Sequence, residues 1–87
     1  MGIYTRKVDN HFGIWDGFNC EFVNPSHLCL DEDNVREYIE ENPPPKEKEY
    51  SVEDMINDLC HSEGSLIVPT ENEALADYVA ELIRALA

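Results

Sequence analysis

Basic residues are scarce in this sequence, which has six lysines and arginines against nineteen aspartates and glutamates. The formal net charge is −13 at pH 7 over 87 residues. Because proteins hold phosphate groups with lysine and arginine, direct binding to nucleic acid or to an anionic membrane is not expected. A basic protein surface is the partner that this charge favours.

Long apolar segments are also missing. The longest aliphatic run, Leu66-Ile67-Val68, is far too short to span a bilayer. Residues 1–10 lack the apolar stretch of a secretory signal peptide. Three cysteines are an odd number, which favours a reducing compartment over a disulfide framework. We therefore expect a soluble, cytoplasmic protein that does not contact membranes.

Glycine is rare as well, and none of the four glycines belongs to a phosphate-binding loop. Carboxylates are so numerous that no pair is distinguished as a general acid and base. A chain of this length builds one modest core, which favours a surface site over a deep substrate cavity. We expect a single α+β domain over residues 1–87 that binds a protein, with no enzymatic activity and no cofactor.

Three segments rich in aromatic and β-branched residues predict β-strands near the start of the chain. They run from Ile3 to Val8, from His11 to Trp15 and from Phe18 to Val23. Asp9-Asn10 separates the first two, and Asp16-Gly17 is typical of a two-residue hairpin turn in which both residues have positive φ. The pattern predicts a three-stranded antiparallel meander with Phe18, Cys20 and Phe22 on one face.

A helix is predicted after these strands. Asp31 is a suitable N-cap, so the helix should begin at Glu32 and end near Glu41. The run Pro43-Pro44-Pro45 then prevents its continuation. Residues 46–49 should form an exposed, semi-rigid connector.

A second helix and a short strand follow the connector. Ser51 and Asp54 have the spacing of a capping box, which predicts a helix from Val52 to about His61. Gly64 ends that pattern. The aliphatic segment from Ser65 to Val68 is suited to a short fourth strand.

The last element is a helix with an apolar stripe. Thr70 and Glu73 have capping-box spacing, which predicts the helix start. The stripe recurs at helical spacing in Leu75, Tyr78, Val79, Leu82, Ile83 and Leu86. The predicted fold is therefore α+β in the order β-β-β-α-α-β-α.

Negative charge is concentrated in residues 31–63, which contain twelve acidic and three basic residues. At 100° per residue, four carboxylates of the first predicted helix share one arc opposite its apolar side. Successive i, i+4 carboxylates lie about 6 Å apart along the axis, similar to phosphates on one nucleic-acid strand. We predict a partner-binding surface that consists of Asp31, Glu32, Asp33, Glu37, Glu40, Glu41, Glu47, Glu49, Glu53, Asp54 and Asp58.

In size, acidity and mixed α/β pattern, the chain resembles small phage-encoded inhibitors of host defence, the anti-CRISPR and anti-restriction proteins. It is also similar to small acidic nuclease inhibitors and immunity proteins. The resemblance covers the composition of the whole chain and includes no motif. It implies a protein that binds a nucleic-acid-binding partner and inhibits it by placing carboxylates where phosphates would bind. Both a monomer and a homodimer are compatible with the sequence.

Other interpretations of the same residues remain open. Acidic helix faces are usually solvated, and a salt-loving host produces a similar composition. A zinc-stabilised structural module is a second possibility, although the donor spacing matches no familiar pattern. Its donors would be Cys20, His27, Cys29, Cys60 and His61. Cys20 and Cys60 border apolar faces, which favours burial, and Trp15 fits either a core position or an exposed contact.

Overall fold

The computed structural model describes residues 2–46 and 50–87. These residues form an antiparallel sheet and four helices, and the predicted α+β element order is confirmed, with one additional single-turn helix before the first long one. The elements are β1 (Ile3–Val8), β2 (His11–Asp16), β3 (Glu21–Phe22), α1 (Pro25–Leu28), α2 (Glu32–Glu41), α3 (Val52–Cys60), β4 (Ile67–Val68) and α4 (Glu73–Leu86). The predicted connector lies partly outside the described residues, since it includes residues 47–49.

The first hairpin forms as predicted. Val8 pairs with His11, which leaves Asp9 and Asn10 as a two-residue connection between β1 and β2. Asp9 has a φ of 52°, in the left-handed region that aspartate and asparagine tolerate better than most residues. The turn chemistry of these two residues therefore sets the register of the longest strand pair.

The predicted Asp16-Gly17 turn is wrong. Asp16 is the last residue of β2 and pairs with Glu21, so the connection to β3 contains four residues, 17–20. The Asp16 carboxylate accepts hydrogen bonds from the backbone N–H of Phe18 at 2.9 Å and from the side chain of Asn19 at 2.7 Å, which stabilises the longer turn. Phe18 and Cys20 lie in this turn and are exposed, so they do not share a strand face with Phe22.

Strand β2 lies at the centre of the sheet. It pairs with β1 along one side and with β3 and β4 along the other. Backbone hydrogen bonds from Ile14 to Leu66 and from Leu66 to Val23 join the short strands next to it. The two-residue β4 is thereby fixed despite its length.

Helix α4 covers one face of this sheet by packing against β1 and β2. The predicted stripe is confirmed, since five of its residues are buried and Leu86 packs at the edge of the core. The helix start differs from the prediction because Asn72 is the N-cap: its side chain accepts a hydrogen bond from the N–H of Ala74 at 3.0 Å. Thr70 instead accepts from the N–H of Asn72, so the predicted Thr70–Glu73 capping box is wrong.

Helices α2 and α3 begin where the sequence predicts. Asp31 caps α2 by accepting from the N–H of Asp33 at 2.8 Å. Ser51 and Asp54 form both hydrogen bonds of a capping box at the start of α3. The two helices pack against each other, and α2 also packs against α4. They contribute Val35, Ile39, Met55, Ile56 and Leu59 to the core.

Helix α1 is absent from the prediction. Asn24 is its N-cap and Pro25 its first residue, a combination that favours a helix start. Cys29 ends it with a φ of 52° after a single turn. Asn24 and Pro25 are a local signal for a helix start, but a single turn contains too few residues to show helical hydrophobic periodicity.

Candidate partner-binding surface

Nine of the eleven predicted contact residues lie in the described part of the chain, on α2 and α3 and at the N-cap of α2. Glu47 and Glu49 lie outside the described residues. We call α2 and α3, with Asp31 and Ser51, the acidic helix pair. The nine carboxylates differ in what they contact, and that difference divides them into three groups.

Arg36 neutralises two of these carboxylates and links the two helices. Its Nη1 is 2.9 Å from Oε1 of Glu53 on α3, and its Nη2 is 2.9 Å from Oε1 of Glu32 one turn earlier on α2. Hydrogen bonding to Arg36 is the main cause of the lowered pKa of Glu32 and of Glu53, and both carboxylates raise the pKa of Arg36. These two acids therefore have a structural partner within the fold.

Three further carboxylates act in local structure. Asp31 and Asp54 accept hydrogen bonds at the N-termini of α2 and α3. Oδ2 of Asp58 accepts a hydrogen bond of 2.8 Å from the hydroxyl of Tyr50, whose side chain is only 4% exposed. These carboxylates stabilise the fold and contribute less to a free contact surface.

Four carboxylates remain, and we call them the free α2 carboxylates: Asp33, Glu37, Glu40 and Glu41. All four are exposed, and none forms an ion pair or a side-chain hydrogen bond with another described residue. They lie opposite Val35 and Ile39, which are buried, so the predicted two-faced character of α2 is confirmed. This row is the part of the predicted surface whose charge is available to a partner.

The cysteine and histidine donors are dispersed over the fold. Cys20 lies in the β2–β3 turn and Cys29 at the end of α1, both exposed, which corrects the expected burial of Cys20. Cys60 is half-buried at the end of α3, and burial together with Glu32 and Asp31 raises the pKa of its thiol. Within residues 2–46 and 50–87, no three histidine, cysteine or acidic side chains are grouped so that they could hold a metal ion.

His61, which follows the last residue of α3, contacts Glu32 of α2. Its Nε2 is 3.5 Å from Oε2 of Glu32, on the side opposite the oxygen that Arg36 holds. Glu32 is thus held by both Arg36 and His61, which explains why this carboxylate does not belong to the free row.

An apolar groove of about 610 Å³ lies beside the start of α3. Its lining consists of Pro44, Pro45, Lys46, Tyr50, Ser51, Val52, Met55 and Leu75. The Tyr50 hydroxyl is already bonded to Asp58, so the groove offers apolar contact rather than acid–base chemistry.

Comparison with known proteins gives no relative. No family model, curated protein or solved structure matches the chain. None of the described helices combines the length and the apolar composition needed to cross a membrane. The interpretation of the surface therefore depends on the geometry of this chain alone.

Proposed function

We propose that the protein is a cytoplasmic, non-enzymatic inhibitor that binds a basic surface on a nucleic-acid-binding protein through the free α2 carboxylates. Bound there, the carboxylates would occupy phosphate positions and compete with nucleic acid. The observation that supports this proposal is that the free α2 carboxylates form no ion pair, whereas Arg36 pairs with Glu32 on α2 and with Glu53 on α3.

The spacing of the row is consistent with such a role. Asp33 and Glu37, like Glu37 and Glu41, are four residues apart and thus about 6 Å apart along the helix axis. Like charges at this spacing destabilise a helix by about 0.2–0.5 kcal/mol per pair, whereas a lysine at one position would contribute about as much stability. Retaining acids at these positions has a stability cost, which a binding role would explain. The similarity in size and acidity to phage-encoded defence inhibitors suggests the same class of partner.

The test compares two variants with equal net charge. Glu37→Gln/Glu40→Gln/Glu41→Gln neutralises three free α2 carboxylates, and Glu71→Gln/Glu73→Gln/Glu81→Gln neutralises three exposed acids elsewhere. Immobilised wild type and both variants are used to capture proteins from host lysate, and double-stranded DNA is added as a competitor. The partner identified with wild type is then purified for titration.

We expect the α2 variant to bind the partner at least about tenfold more weakly, because close charge pairs across interfaces are coupled by about 1.5 kcal/mol or more. The control variant should stay near wild type, and both DNA and added salt should reduce capture. Equal losses in the two variants would show that only net charge matters. Capture that DNA does not reduce would contradict competition for a phosphate-binding surface.

A further inference from the structure

The sheet has a second face, opposite the one that α4 covers. Thr5 donates a hydrogen bond to Asp77 of α4 at 3.0 Å and pairs with Ile14, which is fully buried, so both residues are on the α4 side. Because side chains alternate along a strand, their neighbours project from the other face. We call these positions the outer sheet face: Tyr4, Arg6, Val8, His11, Gly13, Trp15, Phe22 and Ile67.

Aromatic rings dominate this face. Trp15 and Phe22 are neighbours on β2 and β3 and form an edge-to-face pair with ring centroids 5.1 Å apart. Tyr4 pairs with Trp15 from β1 and is 45% exposed. The guanidinium of Arg6 lies 4.4 Å from the Trp15 ring centroid, where the face of the ring attracts a cation.

Gly13 allows these side chains to form one continuous surface. A Cβ at this position would lie 2.4 Å from a ring carbon of Phe22 and 3.0 Å from Cδ1 of Ile67. The absence of a side chain lets Phe22 and Ile67 close over β2 from the neighbouring strands. The outer sheet face is therefore packed as an apolar layer in its own right.

Such a layer is unusual for a sheet face in contact with water. Antiparallel sheets with one solvated face normally carry polar residues there. Among the strand positions of the outer sheet face, Arg6 is the one lysine, arginine, aspartate or glutamate, and His11 lies at the end of the face. Tyrosine, tryptophan and arginine are the residues enriched at the energetic centres of protein interfaces. The composition indicates a surface that a protein covers.

We propose that the outer sheet face is the interface of a homodimer, in which the sheets of two copies pack face to face. The placement of charge favours a second copy as the occupant. None of the strand positions that define the outer sheet face is an aspartate or glutamate, whereas the described part of the acidic helix pair packs with α4 on the other side of the sheet. Face-to-face packing puts the two acidic layers at opposite ends of the dimer. They are at least roughly 20 Å apart, because the stacked sheets are about 10 Å apart and each acidic layer lies beyond its own sheet by at least half a helix diameter, about 5 Å.

At physiological salt the screening length is about 8 Å, so repulsion between these two layers is small.

Other occupants fit less well. A head-to-tail contact places the outer sheet face of one copy on the acidic helix pair of the next. It leaves one surface of each kind uncovered at the ends, so copies would add without forming a closed assembly. Nucleic acid is not a suitable occupant, because one guanidinium cannot offset the repulsion of a −13 protein.

The dimer should be weak. Three strands about 4.8 Å apart and about 20 Å long give a flat footprint of roughly 20 by 15 Å. That area is small compared with the about 800 Å² per partner of a standard stable interface. We therefore expect a dissociation constant in the micromolar range or weaker.

Sedimentation equilibrium and fluorescence test this proposal together. Trp15 is the only tryptophan and lies in the interface, so its emission should shift to shorter wavelength as the dimer forms. Over about 1 µM to about 1 mM, a range that includes weak interfaces, the mass should rise from 10.0 kDa toward twice that value. Added salt should strengthen the association by screening the remaining repulsion.

Two matched variants locate the interface. Tyr4→Lys places an ammonium group in the outer sheet face, where Trp15 already contacts Arg6 and no strand position supplies a carboxylate, and it should weaken the dimer about 100-fold or more, since an unpaired charge is costly to bury. Val52→Lys makes the same kind of change at an exposed apolar residue on α3 and should leave the dimer intact. Circular dichroism shows whether each variant is folded. If Tyr4→Lys does not fold, the concentration dependence of the wild-type mass and fluorescence still tests the proposal.

Three results would overturn the proposal. They are a wild-type mass that stays at 10.0 kDa with unchanged Trp15 fluorescence, an association that Tyr4→Lys does not weaken, and an association that salt weakens, as in head-to-tail contact. The test is independent of the inhibitor function, because the free α2 carboxylates take no part in this interface. Their glutamine variant should dimerise like the wild type.

Discussion

At the scale of single residues, Arg36 determines which carboxylates of the acidic helix pair are neutralised. It lies one turn after Glu32 and faces Glu53 across the contact between α2 and α3. Arg36 forms no ion pair with the free α2 carboxylates, which lie on the exposed side of the same helix. A single base therefore joins the helices and leaves most of the negative charge of α2 on the surface.

Buried tyrosines limit stability at alkaline pH. Burial raises the pKa of Tyr50 above its ordinary value, with the hydrogen bond to Asp58 acting in the same direction. Burial likewise raises the pKa of Tyr78 to about 12. Because the pKa of each tyrosine is higher in the folded state, its contribution to stability is fully present below pH 10.0, the ordinary pKa of tyrosine. That contribution is lost as the pH rises from the unfolded-state pKa through the folded-state pKa. We expect the free energy of unfolding to fall above about pH 10, by at most about 1.4 kcal/mol per pH unit for each tyrosine.

Urea unfolding at several pH values from about 9 to about 11 measures this slope. Tyr50→Phe removes one ionising group, so its stability should decline less steeply with pH than that of the wild type. Tyr4→Phe, at an exposed ring, is the matched control. Equal slopes for Tyr50→Phe and the wild type would be inconsistent with a raised pKa at Tyr50.

At the scale of elements, the start of α4 depends on Asn72. Asn72→Ala removes the side chain that accepts from the N–H of Ala74 and should lower the free energy of unfolding by about 1 kcal/mol. Asn72→Asp retains a suitable acceptor and should stay close to the wild type. Urea unfolding measures both changes.

The same measurement on Glu73 variants distinguishes this cap from the capping box that the sequence predicts. If Glu73 acted in a capping box, Glu73→Gln would retain a suitable partner and Glu73→Ala would cost as much as Asn72→Ala. We expect Glu73→Ala to lower the free energy of unfolding by less than about 0.5 kcal/mol.

Local signals predicted elements well where one interaction had no competitor. Asp31 and Ser51 are such cases, and α2 and α3 begin after them. The prediction was wrong where two local hydrogen-bonding patterns competed, as at Asp16, whose carboxylate stabilises a four-residue turn, and at Asn72, which replaces Thr70 as the cap.

The candidate surface was predictable in position and not in detail. Helical periodicity placed the free α2 carboxylates on one face, because that depends only on spacing along α2. The pairing of Arg36 with Glu53 joins residues seventeen positions apart, so it depends on how α3 packs against α2. The outer sheet face likewise requires strand pairing, since Gly13, Phe22 and Ile67 meet only in the folded sheet.

At the scale of the whole molecule, the two sides of the sheet differ in charge. Twelve of the nineteen acids lie in residues 31–63, whereas β1 carries two bases, Arg6 and Lys7. Arg36 is held by two carboxylates, and Arg84 donates to the backbone oxygen of Ile3. The fold thus separates an acidic helical side from an aromatic sheet side, which allows each to contact a different kind of surface.

This separation leaves strong repulsion among the acids, so salt should stabilise the protein. The molecule measures 31 × 26 × 21 Å. At 0.01 M salt the screening length is about 30 Å, so nearly every pair of like charges in the molecule interacts. At 0.1 M salt it is about 10 Å, so only neighbouring charges still repel each other. We expect the free energy of unfolding at pH 7 to rise by roughly 1 kcal/mol over this range, the sum of a few like-charge helix pairs.

Urea, which is uncharged, is the suitable denaturant for this measurement. The variant that combines the three glutamines on α2 with Glu71→Gln/Glu73→Gln/Glu81→Gln has six fewer negative charges and should show a shallower dependence on salt. It should also be more stable than the wild type at low salt, because repulsion opposes the compact state. A wild-type stability that is constant or falls with salt would mean that the paired carboxylates around Arg36, rather than the unpaired ones, dominate the electrostatic free energy of folding.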